Sequence, residues 1–183
     1  MILPIYVYGS SILRKVAQNI DKNYPKLEQL IGDMYETMHI SDGVGLAAPQ
    51  IGRSVRIFVI DASAFAEDHP ELAGFKKTFI NANIVERAGD EYFYNEGCLS
   101  IPGVHEDVKR FDKIRIQYYD ENFEYHDEIF GEIPARIIQH EYDHLEGVIF
   151  TDRISPIRKR ILKGKLNGII KGKFEAKYAV NQG

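Results

Sequence analysis

The spacing of apolar residues along the chain predicts two main helices. Between residues 25 and 38, apolar side chains recur at the three- and four-residue spacing of one helix face, at Leu27, Leu30, Ile31, Met34 and Met38. A second helix is predicted over residues 134–146, because Pro134 suits a first turn and Gly147 suits the position just beyond a last turn. This second run is apolar on most of its faces, so we expect it to be buried.

Most other segments predict strands that follow one another along the chain. Residues 113–119 and 123–130 alternate apolar and polar side chains on either side of Asp120, which is the pattern of a hairpin. Further strands are predicted at residues 55–60, 78–86 and 173–180, and a third helix at residues 156–166. Because strands run mostly together rather than alternating with helices, the fold class is predicted to be α+β rather than doubly wound α/β.

Length and composition predict one domain over residues 1–183, without internal repeats. No apolar run is long enough to span a membrane, and the N-terminus lacks the regions of a secretory signal, which favours a cytoplasmic protein without membrane attachment. A monomer is the default expectation. Cys98 is the only cysteine. In a reducing compartment such a thiol is a small apolar core residue, a nucleophile or a metal ligand.

The net charge of −4 conceals a strong asymmetry. The basic C-terminal segment, residues 153–183, holds nine of the 23 lysines and arginines and a single acid, Glu175. A cationic segment on an acidic body predicts an anionic partner, with nucleic acid as one candidate. The alternative is a solvated surface segment, since the same residues carry a regular apolar pattern.

The predicted buried helix carries a motif with metal-binding chemistry. The run His140-Glu141-Tyr142-Asp143-His144 is an H-E-x-x-H motif, whose two histidines lie one turn apart on the same helix face and can bind one ion. Glu141 follows the first histidine and can act as a general base on a water at an open coordination position. The alternative, a pair of core histidines, would bury several polar groups without partners at a high desolvation cost.

A catalytic metal site of this kind needs a third protein ligand. In one class of H-E-x-x-H enzymes a third histidine follows, but the corresponding residue here is Phe150, which cannot bind metal. Downstream, Asp152 is too near the motif and Glu175 lies among lysines, so both are poor candidates. Cys98 lies upstream in a turn-like segment, and because a thiolate is a strong ligand, we prefer it as the third ligand.

Three segments together resemble the signatures of the peptide deformylases, in the order and spacing of that family. They are Gly43-Val44-Gly45-Leu46-Ala47-Ala48-Pro49-Gln50, Glu96-Gly97-Cys98-Leu99-Ser100 and Gln139-His140-Glu141-Tyr142-Asp143-His144. The resemblance implies a metal-dependent hydrolase that removes the N-formyl group from N-formylmethionine on newly made polypeptides. It also implies an α+β fold in which antiparallel strands surround a central helix that carries the H-E-x-x-H segment.

The resemblance also implies roles for individual residues. The metal is usually ferrous iron in this family, with zinc, nickel or cobalt as substitutes. The side-chain amide of Gln50 and the backbone N–H of Leu99 would stabilise the anionic intermediate, while Glu141 would move the proton. Gly45 lacks a Cβ, so the backbone there can come close to a bound peptide. The methionine pocket is expected to be lined by Val44, Ile133 and Ile137.

Two positions depart from the family pattern. Ser11 stands where many relatives have proline, and His105 stands where many bacterial members have an arginine near the substrate. We expect a local change at Ser11 and have no basis for a cationic contact to the peptide at His105. The C-terminal segment varies in the family, but its positive charge fits guidance to the ribosome, where the substrates emerge.

Two other functions compete with deformylation. A zincin-like metallopeptidase would use Glu141 in the same way but would take its third ligand from an acid downstream. A structural metal domain with a segment that binds ribosomal RNA would need a fourth ligand, because structural zinc sites are usually closed. By residue type, only His105 and His126 are candidates for that position.

Overall fold

Alternating and β-rich segments in the middle of the chain form one antiparallel sheet in the computed structural model, which describes all 183 residues. The strands are β1 (Ile5–Tyr6), β2 (Gly45–Ala47), β3 (Ile57–Asp61), β4 (Lys76–Cys98), β5 (Ile101–Tyr119), β6 (Tyr125–Gly131) and β7 (Val180–Asn181), and the helices are α1 (Leu27–Ile40), α2 (Glu132–Leu145) and α3 (Pro156–Ile170). The sheet has the strand order β2-β3-β4-β5-β6, while β1 and β7 form a separate parallel pair. The predicted α+β class is confirmed.

Helix α2 packs against β2, β3, β5 and β6 of the sheet. Twelve of its 14 residues are buried, as its apolar character predicted. Ile137, Ile138 and Leu145 lie in a core cluster that also contains the stacked rings of Phe58 and Phe79. This packing holds one face of the helix rigidly beneath the sheet, which is the condition for presenting side chains in a fixed geometry.

Gly147 follows the end of α2, as predicted. Its φ angle is 70°, and a Cβ there would lie 2.6 Å from the carbonyl oxygen of Arg14. Only glycine meets both conditions without strain, so the helix ends at this point and the chain turns away.

The hairpin of β4 and β5 is much longer than the strand predicted at residues 78–86. The two strands pair from Ile80 with Tyr119 to Cys98 with Ile101, with four interruptions of the register along the way. Each interruption shifts the alternation of side chains between the two faces, so no single two-residue period runs through the segment. The full length of the hairpin was therefore not predicted from the alternation of apolar and polar residues, although its turn places Cys98 at the site.

The strand predicted at residues 173–180 is wrong over most of its length. Only Val180 and Asn181 form a strand, β7, which pairs with β1. The alternation itself is real, because Phe174, Ala176 and Tyr178 are partly buried whereas the residues between them are exposed. The segment runs along the protein surface without a neighbouring strand to complete a hydrogen-bond ladder.

The first helix begins at Leu27, two residues after Pro25, and the predicted hairpin is present as β5 and β6, with Tyr119 opposite Tyr125. The third helix, α3, begins after Ser155, whose hydroxyl accepts a hydrogen bond from the N–H of Arg158. None of the three helices combines the length and apolar character needed to cross a membrane.

Candidate active site

The end of β4 and the middle of α2 bring together three side chains that can bind metal. The ligand atoms of Cys98, His140 and His144 all lie within 4.8 Å of one another. The Sγ of Cys98 is 3.3 Å from Nε2 of His144. Neither Asp152 nor Glu175 belongs to this group. The geometry thus brings the predicted cysteine to the histidines and leaves the downstream acids away from them.

The state of these side chains fits a divalent ion. Oε2 of Glu141 is a buried polar atom without a hydrogen-bond partner, and Nε2 of His144 is the ring nitrogen that faces Sγ of Cys98. Burial, reinforced by the neighbouring His140, lowers the pKa of His144 to about 3, so its imidazole is neutral and keeps a lone pair for coordination. One thiolate and two imidazoles form a donor set that suits iron or zinc.

Glu141 lies next to these donors in a tightly enclosed position. Its carboxylate lies against Gly45 of β2, where a Cβ would be 2.8 Å from Cδ of Glu141. Burial raises the pKa of Glu141 to about 7, which suits a group that takes up and releases a proton near neutral pH. From the sequence, Gly45 was predicted to let the backbone come close to a bound peptide. In the structure, the space that a side chain at Gly45 would occupy is filled by the Glu141 carboxylate.

Gln50 is buried in the short turn that follows β2. Its Oε1 accepts a hydrogen bond from the N–H of Ala47 at 2.8 Å, which leaves the amide nitrogen facing the site. Nε2 donates to the hydroxyl of Ser100 at 3.1 Å and lies 3.5 Å from Sγ of Cys98. The side-chain amide is therefore held between two segments, with its donor end at the cysteine.

Leu99 forms, with Ser100, the two-residue turn between β4 and β5. Its N–H donates to no backbone carbonyl, whereas its carbonyl oxygen accepts a hydrogen bond from the hydroxyl of Tyr178 at 2.6 Å. A Cβ at Gly43 would lie 2.9 Å from the Leu99 side chain. The turn thus contributes a free backbone donor next to Cys98.

Glu96 is a buried carboxylate that binds His140 and two arginines beside the site. Its carboxylate accepts hydrogen bonds from Nδ1 of His140 at 2.8 Å, from Arg110 at 2.7 and 3.0 Å, and from Arg136 at 2.9 Å. Burial opposes its charge, but the hydrogen bonds and charges of His140 and Arg110 outweigh burial and lower the pKa of Glu96. An anionic Glu96 fixes the orientation of the His140 ring and leaves its Nε2 free for a metal.

Asp143 joins the same buried network. Arg110 donates to it at 2.8 Å, and Arg153 donates at 2.5 and 2.6 Å. Arg136 and Arg153 also belong to this network and were not predicted from the sequence. For Arg136 a signal existed, because it lies four residues before His140 on a helix predicted to be buried, where a cation needs an acid.

A cavity of about 500 Å³ opens beside these residues. Val44, Ile133 and Ile137, the residues predicted for the methionine pocket, line it. His105 also lines it, directly across the hairpin from Gly97. Ser11, the other departure from the family pattern, begins a short turn outside the cavity lining. His126, the other candidate for a fourth ligand, also lies outside the lining and bonds to Asp120 at 2.7 Å.

A cysteine and two histidines that can hold a metal ion, next to a buried carboxylate and a cavity on an α+β scaffold, are the features of a metal-dependent hydrolase. The family model described as polypeptide deformylase matches residues 2–160. The chain belongs to the polypeptide deformylase family.

Similar proteins cover almost the whole chain. A peptide deformylase of Christiangramia forsetii is 51% identical over 185 residues, which span 97% of this chain and 94% of that protein. One from Cytophaga hutchinsonii is 52% identical over 178 residues, with 97% and 96% coverage. Among solved structures, a peptide deformylase from Plasmodium falciparum has a TM-score of 0.82 at 36% identity, covering 92% of this chain and 95% of that one. The Thermotoga maritima enzyme has a TM-score of 0.76 at 38% identity, with 85% and 99% coverage.

The family assignment establishes the reaction. Peptide deformylases are metalloenzymes that remove the formyl group from newly made peptides, a hydrolysis of an amide C–N bond, and this is the function of the chain. The family assignment favours deformylation over the two other functions considered, a zincin-like metallopeptidase and a structural metal domain.

Proposed function

We propose that Cys98, His140 and His144 hold one divalent ion and that Glu141 moves the proton in the hydrolysis of N-formylmethionyl peptides. The observation that carries this proposal is the convergence of the three donor atoms beside a buried carboxylate whose pKa is raised to about 7. A bound divalent ion supplies Lewis acidity, which lowers the pKa of a water and polarises a carbonyl group. Residues 1–183 act as one catalytic domain.

Glu141 accepts a proton from the attacking water and passes it to the methionine nitrogen. The C–N bond of the formamide then breaks, formate leaves, and the peptide keeps a free amine. The carboxylate can serve in both steps because its pKa of about 7 lies near the operating pH. Gly45 keeps this carboxylate in place, since any side chain there would occupy its position.

Gln50 and Leu99 stabilise the negative charge that develops on the formyl oxygen. Support comes from the Gln50 amide, whose nitrogen is turned toward Cys98, and from the Leu99 N–H, which has no backbone acceptor. Donors that are fixed before the reaction need no reorganisation during it, and each typically contributes about 10²- to 10³-fold in rate.

The peptide is bound mainly through its backbone. Strand β2 is an edge strand of the five-stranded sheet, so one side of its backbone has no strand partner. An extended peptide can add to that edge through main-chain hydrogen bonds, which do not depend on the residues after methionine. The methionine side chain occupies the apolar part of the cavity, lined by Val44, Ile133 and Ile137.

The native ion is proposed to be ferrous iron, with zinc, nickel or cobalt as functional substitutes. A thiolate with two imidazoles accommodates each of these ions, so the protein sets the geometry and metal supply sets the occupant. Metal analysis of protein purified without oxygen tests the assignment. Iron at about one equivalent per chain supports it, and zinc alone under these conditions contradicts it.

The basic C-terminal segment is proposed to guide a monomeric, cytoplasmic enzyme to the ribosome. Lys159, Arg160 and Lys163 are exposed on α3, whereas Arg158 is paired with Glu106. Replacing the three exposed cations with alanine should weaken ribosome binding and flatten its salt dependence, without changing hydrolysis of short peptides. Unchanged ribosome affinity would remove this proposal.

The ligand assignment is tested by metal content. Cys98→Ala should lose the bound metal, because two imidazoles remain where three protein ligands are needed. Glu175→Ala is the matched control and should keep it, since Glu175 lies outside the donor group. Full metal content in Cys98→Ala, or loss in Glu175→Ala, would contradict the assignment.

A further inference from the structure

The chain after α3 returns to the active site and forms part of its wall. Residues 175–178 line the same cavity as His140 and Glu141. Phe174, Ala176 and Tyr178 face the protein, and the residues between them are exposed. The C-terminal segment is therefore more than a basic surface element, because its inner face borders the reacting groups.

Backbone hydrogen bonds fix this segment to the N-terminal strand. The N–H of Ile5 donates to the carbonyl of Ala179 at 2.9 Å, and the N–H of Val7 donates to the carbonyl of Asn181 at 3.0 Å. The next residue of the N-terminal segment, Tyr8, donates to the carbonyl of Ser100 at 2.8 Å. Both chain termini thus meet at the turn between β4 and β5.

Tyr178 makes the direct contact with that turn. Its hydroxyl donates to the carbonyl oxygen of Leu99 at 2.6 Å, and its ring packs against the same apolar cluster as the Leu99 side chain. Burial raises the pKa of Tyr178 to about 12, so the hydroxyl keeps its proton and remains a donor throughout the neutral range. The contact joins residues 79 positions apart in the sequence.

We propose that Tyr178 is a positioning residue for deformylation, which orients the backbone of Leu99 through its carbonyl oxygen. The inference rests on the proposed role of the Leu99 N–H as an oxyanion donor. Leu99 lies in a two-residue turn whose backbone torsions set the direction of that N–H, and the bond from Tyr178 restrains the peptide plane that follows. Without it the turn gains freedom, and the donor loses part of its preorganisation.

Tyr178→Phe tests this proposal, because it keeps the ring and removes only the hydroxyl. We expect kcat and kcat/KM for a formyl-methionyl peptide to fall together by about tenfold, a part of what a whole oxyanion donor contributes, while KM and metal content stay unchanged. The matched control is Tyr35→Phe, which removes a buried hydroxyl bonded to Thr78 at 3.1 Å, and Tyr35 does not line the cavity. This control should lower thermal stability and leave kcat unchanged.

Three results would overturn the proposal. They are a kcat of Tyr178→Phe within about twofold of the parent enzyme, a loss that appears only in KM, or a loss that follows the metal content. A parallel Glu141→Ala sample separates this inference from the proposed function. If Glu141→Ala is inactive and Tyr178→Phe is fully active, only the role of Tyr178 is wrong; if Glu141→Ala is active, the proposed mechanism itself fails.

Discussion

The carboxylate of Glu141 occupies the space that a side chain at Gly45 would need, since a Cβ there would lie 2.8 Å from Cδ of Glu141. This contact joins the edge strand β2 to the helix α2, so the proposed peptide-binding edge and the proposed proton carrier are fixed to each other. A glycine at this position thus sets catalytic geometry as well as access for the peptide.

Gly45→Ala should therefore displace Glu141 and impair catalysis more than folding. A displacement of about 1 Å of a catalytic group costs on the order of 10²-fold in rate, and we expect kcat to fall by that amount with the metal retained. Gly32→Ala is a suitable control, because Gly32 lies exposed in α1 with open space around it. That control should be fully active and slightly more stable, by about 0.5 to 1 kcal/mol. An active Gly45→Ala enzyme would show that the contact has no catalytic importance.

Gln50→Ala should remove one oxyanion donor. We expect kcat/KM to fall by about 10²- to 10³-fold, measured as formate release, while metal content stays at the parent level. The N–H of Ala47 and the hydroxyl of Ser100 also lose a partner, so the free energy of unfolding should fall by about 1 to 3 kcal/mol. The control is Gln117→Ala, which removes only a solvent-exposed hydrogen bond from the Gln117 amide to Asp127. A rate loss below about tenfold would argue against Gln50 as a donor.

Arg110→Met should destabilise the protein strongly. Arg110 is buried between Glu96 and Asp143, and its removal leaves two buried carboxylates short of a partner, at a cost of about 3 to 5 kcal/mol in the free energy of unfolding. Metal affinity should fall by about 10- to 100-fold, because Glu96 no longer holds His140 as firmly.

The control for this variant is Arg115→Met, whose ion pair with Asp127 is exposed and screened by solvent, so its loss should change the free energy of unfolding little. Urea unfolding of both variants gives the comparison. Equal effects of the two substitutions would contradict the structural role assigned to the buried network.

An iron-loaded enzyme should lose activity in air. Oxidation of the ion or of the Cys98 thiolate would remove a ligand interaction, whereas zinc-loaded protein lacks the first of these routes. The measurement follows formate release and iron content during aerobic incubation, with zinc-loaded protein as the control. Activity that persists in air with iron confirmed in the protein would contradict this expectation.

How far the sequence predicted the structure depended on whether one periodic pattern ran through an element. Helix α2 was predicted because its apolar positions and Gly147 are local signals, and the H-E-x-x-H spacing then placed both histidines on one face. The hairpin that carries Cys98 was underestimated, because register shifts interrupt its alternation. Cys98 itself was found by eliminating Phe150 and the downstream acids.

Contacts between distant segments were the least predictable part of the site. The bond from Tyr178 to Leu99 and the pairing of Arg136 with Glu96 depend on how the termini and the hairpin meet in three dimensions. The alternation at residues 173–180 correctly separated inner from outer side chains but gave the wrong secondary structure. The pattern reports burial on one side, and a strand also needs a neighbour to pair with.

The most direct test of the proposed mechanism is formate release from a formyl-methionyl peptide by protein purified without oxygen, compared with Glu141→Ala at equal metal content. The parent enzyme should release formate at a rate proportional to bound metal. The variant should retain the metal and lose about 10²- to 10⁴-fold in kcat, which is the usual contribution of a general acid–base group. Full activity of metal-loaded Glu141→Ala would contradict the mechanism.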